Sequence, residues 1–148
     1  NMAHSWILAA AKVGFHLVLA CPKNFEPNAD VIAKGHDIIS KSSVDASITL
    51  TRNPKEAAEN ADLVTTDTWT SMGQEAERKK RLKAFKGYCV DDNMMSLAQK
   101  DALFMHCLPA HRGEEVTAEV MDGPQSVILD EAENRLHVQK AILQWLMG

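Results

Sequence analysis

The chain has 148 residues, of which 45% are hydrophobic and 24% charged, and its formal net charge is −4. These values are typical of one globular domain and give no basis for a nucleic-acid or membrane partner. No apolar run approaches the ~20 residues of a membrane-spanning helix, and no signal-peptide pattern is present. The three cysteines, Cys21, Cys89 and Cys107, are widely spaced. Their odd number argues against a disulfide scaffold and favours a reducing cytoplasm.

The first segment is predicted to be a helix over residues 2–13, with Asn1 at its N-cap and Gly14 at its C-cap. It is apolar on nearly all sides, as expected of a helix buried against several neighbours. The positive α-amino group of Asn1 opposes the helix dipole. We therefore expect this chain to be cut from a longer one.

The remaining chain alternates predicted strands and helices. Strands are predicted at residues 16–20, 47–51, 61–66, 87–90 and 126–129, and a further one begins at Leu103 and is followed by His106 and Cys107. Helices are predicted at residues 28–41, 75–85, 93–99, 117–121 and 133–147, with a short one from Pro54. This order predicts an α/β fold: one three-layer Rossmann-like domain over residues 1–148, with a mostly parallel sheet and helices on both faces. The strand expected before the first helix is missing, and in a doubly wound order it would be a central one, so either something outside this chain completes the domain or the sheet is rearranged.

Reactive side chains follow the ends of predicted strands. Cys107 comes directly after an apolar strand, Asp67 and Ser71 follow residues 61–66, and Arg135 lies near the start of the last helix. The carboxyl ends of parallel strands meet at one edge, where open α/β folds bind ligands. This set suits a small zwitterionic ligand, with Asp67 binding an ammonium and Asn1 a carboxylate. The alternative for Cys107 is a small buried hydrophobic residue.

Four segments carry a resemblance to a known family. They are Asn1-Met2-Ala3-His4-Ser5, Asp67-Thr68-Trp69-Thr70-Ser71-Met72-Gly73, His106-Cys107-Leu108-Pro109 and Glu131-Ala132-Glu133-Asn134-Arg135. In order and separation they resemble the signature segments of ornithine carbamoyltransferases over essentially the whole chain. The chain would then be the C-terminal, ornithine-binding half of a transferase of arginine metabolism, which makes L-citrulline and phosphate from L-ornithine and carbamoyl phosphate.

The resemblance also implies roles for individual residues. It places in the substrate site Asn1, Asp67, Ser71, Met72, Cys107, Leu108 and Arg135. Asp67, Cys107 and Arg135 are the predicted catalytic residues, with Arg135 polarising the carbamoyl oxygen. As a proton acceptor, Cys107 would need a depressed thiol pKa, so we assign it to positioning or proton handling and not to covalent attack. No cofactor is implied, and the scattered histidines show no zinc-ligand spacing.

Two segments of the family that would bind carbamoyl phosphate, Ser-x-Arg-Thr-Arg and His-Pro-x-x-Gln, do not occur in this sequence. We therefore expect carbamoyl phosphate to bind only with the missing N-terminal domain, and the isolated chain to be inactive. The family implies a homo-oligomer, namely a trimer. The last helix is apolar on two sides and is expected to be exposed. The alternative function is a non-catalytic, truncated α/β module that self-associates through surfaces normally covered by the missing domain.

Two smaller alternatives stay open at the level of sequence. Glu131 and Glu133 either favour the start of the last helix electrostatically or order the site. His106 either belongs to the site or only hydrogen-bonds the backbone.

Overall fold

The computed structural model describes residues 1–70, 73 and 75–148, without the side chain of Glu75. The chain divides into two compact units, Asn1–Ala57 and Ala58–Gly148. The predicted residues Ser71 and Met72 lie outside the described residues.

The first unit contains two strands and its two main helices. Its elements are α1 (Met2–Ala9), a π-helical turn (Ala10–Gly14), β1 (His16–Ala20), α2 (Ala29–Ser40) and β2 (Ser47–Thr51), with α3 (Pro54–Ala58) at the boundary between the units. The helix predicted over residues 2–13 is α-helical only to Ala9, and its continuation is a π-helical turn that ends at Gly14, whose φ of +91° favours glycine. β1 and β2 pair in parallel, with His16 opposite Ser47.

The core of the first unit depends on a glycine in α2. Ile7, Leu17 and Ile48 are buried together between the helices and the strand pair. A Cβ added at Gly35 would lie 2.6 Å from Cδ1 of Ile48 and 2.8 Å from Cγ2 of Ile7. Glycine therefore allows α2 to approach this cluster more closely than any larger residue would.

The second unit carries most of the candidate site. Its elements are β3 (Leu63–Thr66), a 3₁₀ turn (Glu75–Glu77), α4 (Arg78–Ala84), α5 (Asp92–Met95), β4 (Leu103–His106), α6 (Ala118–Met121) and α7 (Ile128–Met147). β3 and β4 pair in parallel, with Thr66 opposite His106. Phe104 of β4 is fully buried and packs in one cluster with Val116 and Ile128.

The structure confirms the α/β prediction of parallel strands alternating with helices, but two predicted strands are wrong. Residues 87–90 and 126–129 contribute only single bridges, Val90 to Val116 and Phe104 to Ser126. Gly87 has φ +91°, which is not extended backbone. α7 begins at Ile128 and not at residue 133, because acidic residues in the first turn complement the helix dipole at that point.

α7 is exposed along most of its length, as predicted for the last helix. Ile128 is buried, whereas every residue from Ala132 to Met147 is exposed. The exposed side chains include large apolar ones such as Leu136, Leu143 and Trp145. In the described part of the chain, no helix is both long and apolar enough to cross a membrane.

Candidate functional site

Two predicted site residues meet at the carboxyl ends of β3 and β4. Because Thr66 lies opposite His106, the next residues, Asp67 and Cys107, leave the strand pair at the same edge. The Cys107 thiol donates a hydrogen bond to Oδ1 of Asp67 over 3.2 Å. The backbone N–H of Thr68 donates to the same oxygen over 2.7 Å. The structure therefore joins two of the three predicted catalytic residues directly.

The surroundings of Cys107 keep its thiol protonated. Burial, the hydrogen bond to Asp67 and the negative charges of Asp67 and Glu131 raise the pKa of Cys107 to about 12. A thiol with this pKa is neutral near pH 7, and a neutral thiol is a weak nucleophile and cannot accept a proton. The depressed pKa that a proton acceptor would need is absent, and Cys107 acts on Asp67 as a hydrogen-bond donor.

His106 connects the end of β4 with three other groups. Its backbone N–H donates to Oε2 of Glu131 over 2.9 Å, and its Nδ1 accepts the backbone N–H of Leu108 over 2.9 Å. A neutral imidazole that accepts at Nδ1 carries its proton on Nε2. Nε2 lies 3.3 Å from Oε1 of Glu115, and both side chains are fully buried. His106 thus does more than hydrogen-bond the backbone, and Glu131 both opens α7 and orders the end of β4.

Glu115 is a site residue that the sequence did not reveal. Its carboxylate is buried and accepts the backbone N–H of His111 over 2.5 Å. Burial alone would raise the pKa of Glu115, but contact with the His106 imidazole and the hydrogen bond from His111 outweigh it, so the pKa is lowered. The residue follows Gly113 and Glu114, a polar stretch typical of an exposed turn, so no local pattern indicates its burial.

Glu115 also belongs to a cluster of three residues that could hold a cation. His111, Glu114 and Glu115 each place one ligand atom within 4.8 Å of the others. Arg78 forms an ion pair with Glu114 and neutralises part of this negative charge. These residues form a hydrogen-bonded and ion-paired group beside the site.

Leu108 adopts an unusual backbone conformation beside Cys107. Its φ is +54°, in the left-handed region that residues with a Cβ rarely occupy, and its peptide bond to Pro109 is cis. The hydrogen bond from Leu108 N–H to His106 Nδ1 stabilises this conformation. The buried Glu115–His106 pair therefore supports the backbone turn that follows the Cys107 thiol.

Two further predicted site residues, Arg135 and Asn1, lie on other elements of the fold. Arg135 is exposed on α7, four residues after Glu131, and residues four apart share a helix face. Arg135 thus lies on the face from which Glu131 reaches the end of β4. Asn1 belongs to the first unit, where it is exposed at the N-cap of α1 and its side chain makes no capping bond.

Comparison with known proteins decides the family. A family model described as the Asp/Orn binding domain of aspartate/ornithine carbamoyltransferase matches residues 1–146. The chain belongs to this family. The prediction drawn from the four signature segments is confirmed at this level.

Individual carbamoyltransferases align with nearly the whole chain. It is 58% identical over 146 residues to an ornithine carbamoyltransferase from Wolinella succinogenes and 56% identical over 147 residues to one from Geobacter metallireducens. Each alignment covers 99% of this chain and 47% of the relative. The crystal structure of an anabolic ornithine carbamoyltransferase from Campylobacter jejuni matches with a TM-score of 0.92 and 41% identity, over 99% of this chain and 48% of that one. The chain therefore spans about half the length of the relatives it matches, and its fold is that of their structures.

Proposed function

We propose that this chain is the ornithine-binding half of an ornithine carbamoyltransferase, which forms L-citrulline and phosphate from L-ornithine and carbamoyl phosphate. The observation that carries the proposal is the Asp67–Cys107 hydrogen bond at the edge of β3 and β4, in a chain 58% identical to an ornithine carbamoyltransferase. The three free cysteines favour a reducing, cytoplasmic location. In the complete enzyme we expect a homo-oligomer, a trimer by the family resemblance.

The proposed binding mode divides ornithine between two groups of residues. Asp67 binds the α-ammonium group, since a carboxylate is the natural partner for this cation. Asn1, Ser71 and Met72 are assigned to the same amino-acid end of the substrate. Cys107 and Leu108 lie beside the side-chain nitrogen, where the left-handed turn at Leu108 positions the backbone.

The reaction places two requirements on these residues. The neutral δ-amine attacks the carbonyl carbon, the C–O bond to phosphate breaks, and phosphate leaves with the bonding electrons while the nitrogen loses a proton. Arg135 supplies a permanent, directional positive charge for the oxyanion that develops on the carbamoyl oxygen. Because the Cys107 thiol is already protonated, the proton from the amine passes to an acceptor other than Cys107.

Calorimetric titration of the 148-residue chain with L-ornithine and L-norvaline tests the binding mode. Norvaline keeps the amino-acid end but lacks the δ-amine, so both ligands are expected to bind. Asp67→Asn should weaken both by about ten- to hundredfold, since a hydrogen bond to a charged group is lost. Asp101→Asn is the matched control, because Asp101 is an exposed carboxylate of the same unit. Absence of binding, or equal weakening by both substitutions, would refute the site.

A second function is favoured by the exposed apolar face of α7. It is the non-catalytic module, which folds and self-associates without turnover. Mixing the chain with the N-terminal half of a relative distinguishes the two. Citrulline formation that depends on Asp67 supports the transferase, whereas a folded mixture that makes no citrulline supports the module.

A further inference from the structure

The carboxylate of Asp67 is oriented by its neighbour in the chain, Thr68. The backbone N–H of Thr68 donates to Oδ1 of Asp67 over 2.7 Å, and the same oxygen accepts the Cys107 thiol. The orientation of this carboxylate therefore depends on the position of the Thr68 backbone. The side chain of Thr68 connects that backbone to the loop after β4.

The Thr68 hydroxyl makes two hydrogen bonds whose directions can be assigned. Its Oγ1 donates to the backbone oxygen of Thr70 over 3.1 Å and lies 3.2 Å from Nδ1 of His111. A hydroxyl has one proton to donate, so toward His111 it is the acceptor. The His111 imidazole therefore carries a proton on Nδ1 and donates it to Thr68.

Glu115 fixes His111 from the other side. The backbone N–H of His111 donates to Oε1 of Glu115 over 2.5 Å, and Nδ1 lies 3.7 Å from the same oxygen. The Glu115 carboxylate is fully buried and also lies 3.3 Å from Nε2 of His106, the residue directly before Cys107. One buried carboxylate is thus linked to both loops that meet at the candidate site.

We propose that His111 is a positioning residue for the amino-acid end of the substrate. Its Nδ1–H holds Thr68, and Thr68 holds Asp67 in the orientation that binds an α-ammonium group. This role rests on the proposed function, in which Asp67 binds ornithine. Preorganising a binding group lowers the cost of ordering it, so the bridge through His111 raises affinity without a substrate contact of its own.

An ordinary surface histidine of the same unit provides the matched control. The side chains of His111 and His137 are 47% and 56% exposed, and each lies beside a glutamate four positions away. The hydrogen bond of His137 stays within α7, where its partner is Glu133, whereas His111 reaches a loop 43 positions earlier in the chain. Replacing His137 should therefore leave Asp67 undisturbed.

Amide hydrogen exchange of the unliganded 148-residue chain, followed by NMR, tests the bridge without substrate. His111→Ala should raise the exchange rate of the Thr68 amide by about two- to tenfold, as expected for the loss of one hydrogen bond, and His137→Ala should leave it unchanged. His111→Asn should restore the native rate, because its amide nitrogen is attached to Cγ as Nδ1 is in histidine. His111→Gln, whose amide lies one bond further out, should not restore it.

The amide of Phe104 distinguishes positioning from a general loss of stability. It donates to the backbone oxygen of Gln125 in the core of the same unit, so its exchange should stay at the native rate in every variant. Equal acceleration at Thr68 and Phe104, or no acceleration at Thr68, would overturn the proposal.

Calorimetric titration with L-ornithine then tests the effect on binding. His111→Ala should weaken binding by about two- to tenfold, less than Asp67→Asn, and His111→Asn should restore it. Thr68→Val should weaken binding at least as much, and adding His111→Ala to it should cause no further loss, because the bridge is already broken.

The two possible failures can be told apart. Binding that depends on Asp67 but is unchanged in His111→Ala would overturn the positioning role and leave the proposed function standing. No binding by the native chain, with exchange at Thr68 still dependent on His111, would refute the proposed function and the positioning role with it.

Discussion

Replacing Asp67 with asparagine should make the Cys107 thiol more reactive. In the native chain the pKa of Cys107 is about 12. At pH 8 roughly one such thiol in 10⁴ is ionised, against about a quarter of free cysteine side chains. Asparagine keeps a hydrogen-bond acceptor but removes the charge, which should lower the pKa by about 1 to 2. The thiolate population then rises roughly ten- to hundredfold, and the lower nucleophilicity of a less basic thiolate reduces the gain in rate to roughly three- to tenfold.

Alkylation with iodoacetamide at pH 8, followed by peptide mass spectrometry, measures this rate at each cysteine separately. Cys89 is the internal control, because its pKa is raised by burial and by the charges of Asp91 and Glu115, and not by Asp67. Asp67→Asn should therefore accelerate alkylation at Cys107 and leave Cys89 unchanged. The reasoning is refuted if native Cys107 reacts as quickly as a free cysteine, or if the substitution changes both cysteines equally.

Three further predictions concern the free energy of unfolding, measured by urea titration. Glu115→Gln should destabilise the chain by about 1–3 kcal/mol, because a buried carboxylate that accepts the backbone N–H of His111 and lies against the His106 imidazole is replaced by an amide. The pKa of Glu115 is lowered in the folded chain, so its stabilisation is present above its ordinary value of 4.5 and is lost as the pH falls further. The cost of the substitution should therefore shrink in acid, and a constant cost would contradict this account. Gly35→Ala should destabilise by about 1–3 kcal/mol through overpacking against Ile48, although glycine to alanine in an exposed helix usually stabilises. Asp91→Ala should cost about 1 kcal/mol, because Asp91 caps α5 by accepting the N–H of Met94, and a change below 0.3 kcal/mol would exclude a capping role.

Local patterns predicted the parts of the fold that depend on near neighbours in sequence. The strands His16–Ala20 and Ser47–Thr51 were predicted with the bounds observed, since both are short β-branched or apolar runs between turn residues. Residues 126–129 looked equally apolar, but the last helix begins at Ile128. Its acidic first turn favours a helix at this point more than the apolar residues favour a strand. Short apolar runs near helix starts remain ambiguous for this reason.

The candidate site likewise contains residues that the sequence predicted and features that it did not. Asp67 and Cys107 were predicted because each directly follows a strand, and parallel pairing brings strand ends together. Glu115 was missed because its burial depends on His106 and on the backbone of His111, contacts that a turn-like sequence does not encode locally. The protonated state of Cys107 was equally hidden, since it depends on burial and on the distance to a carboxylate that follows another strand.

The Asp67–Cys107 bond also has a kinetic consequence. Its two residues are 40 positions apart in the chain, so the bond cannot form before β3 and β4 have found each other in register. Closing a loop of this length costs roughly 3 kcal/mol of chain entropy, and such non-local contacts form late in folding. Loss of Cys107 reactivity during refolding therefore times the closure of this strand pair. The rate at which this thiol loses reactivity therefore measures the rate at which the candidate site assembles.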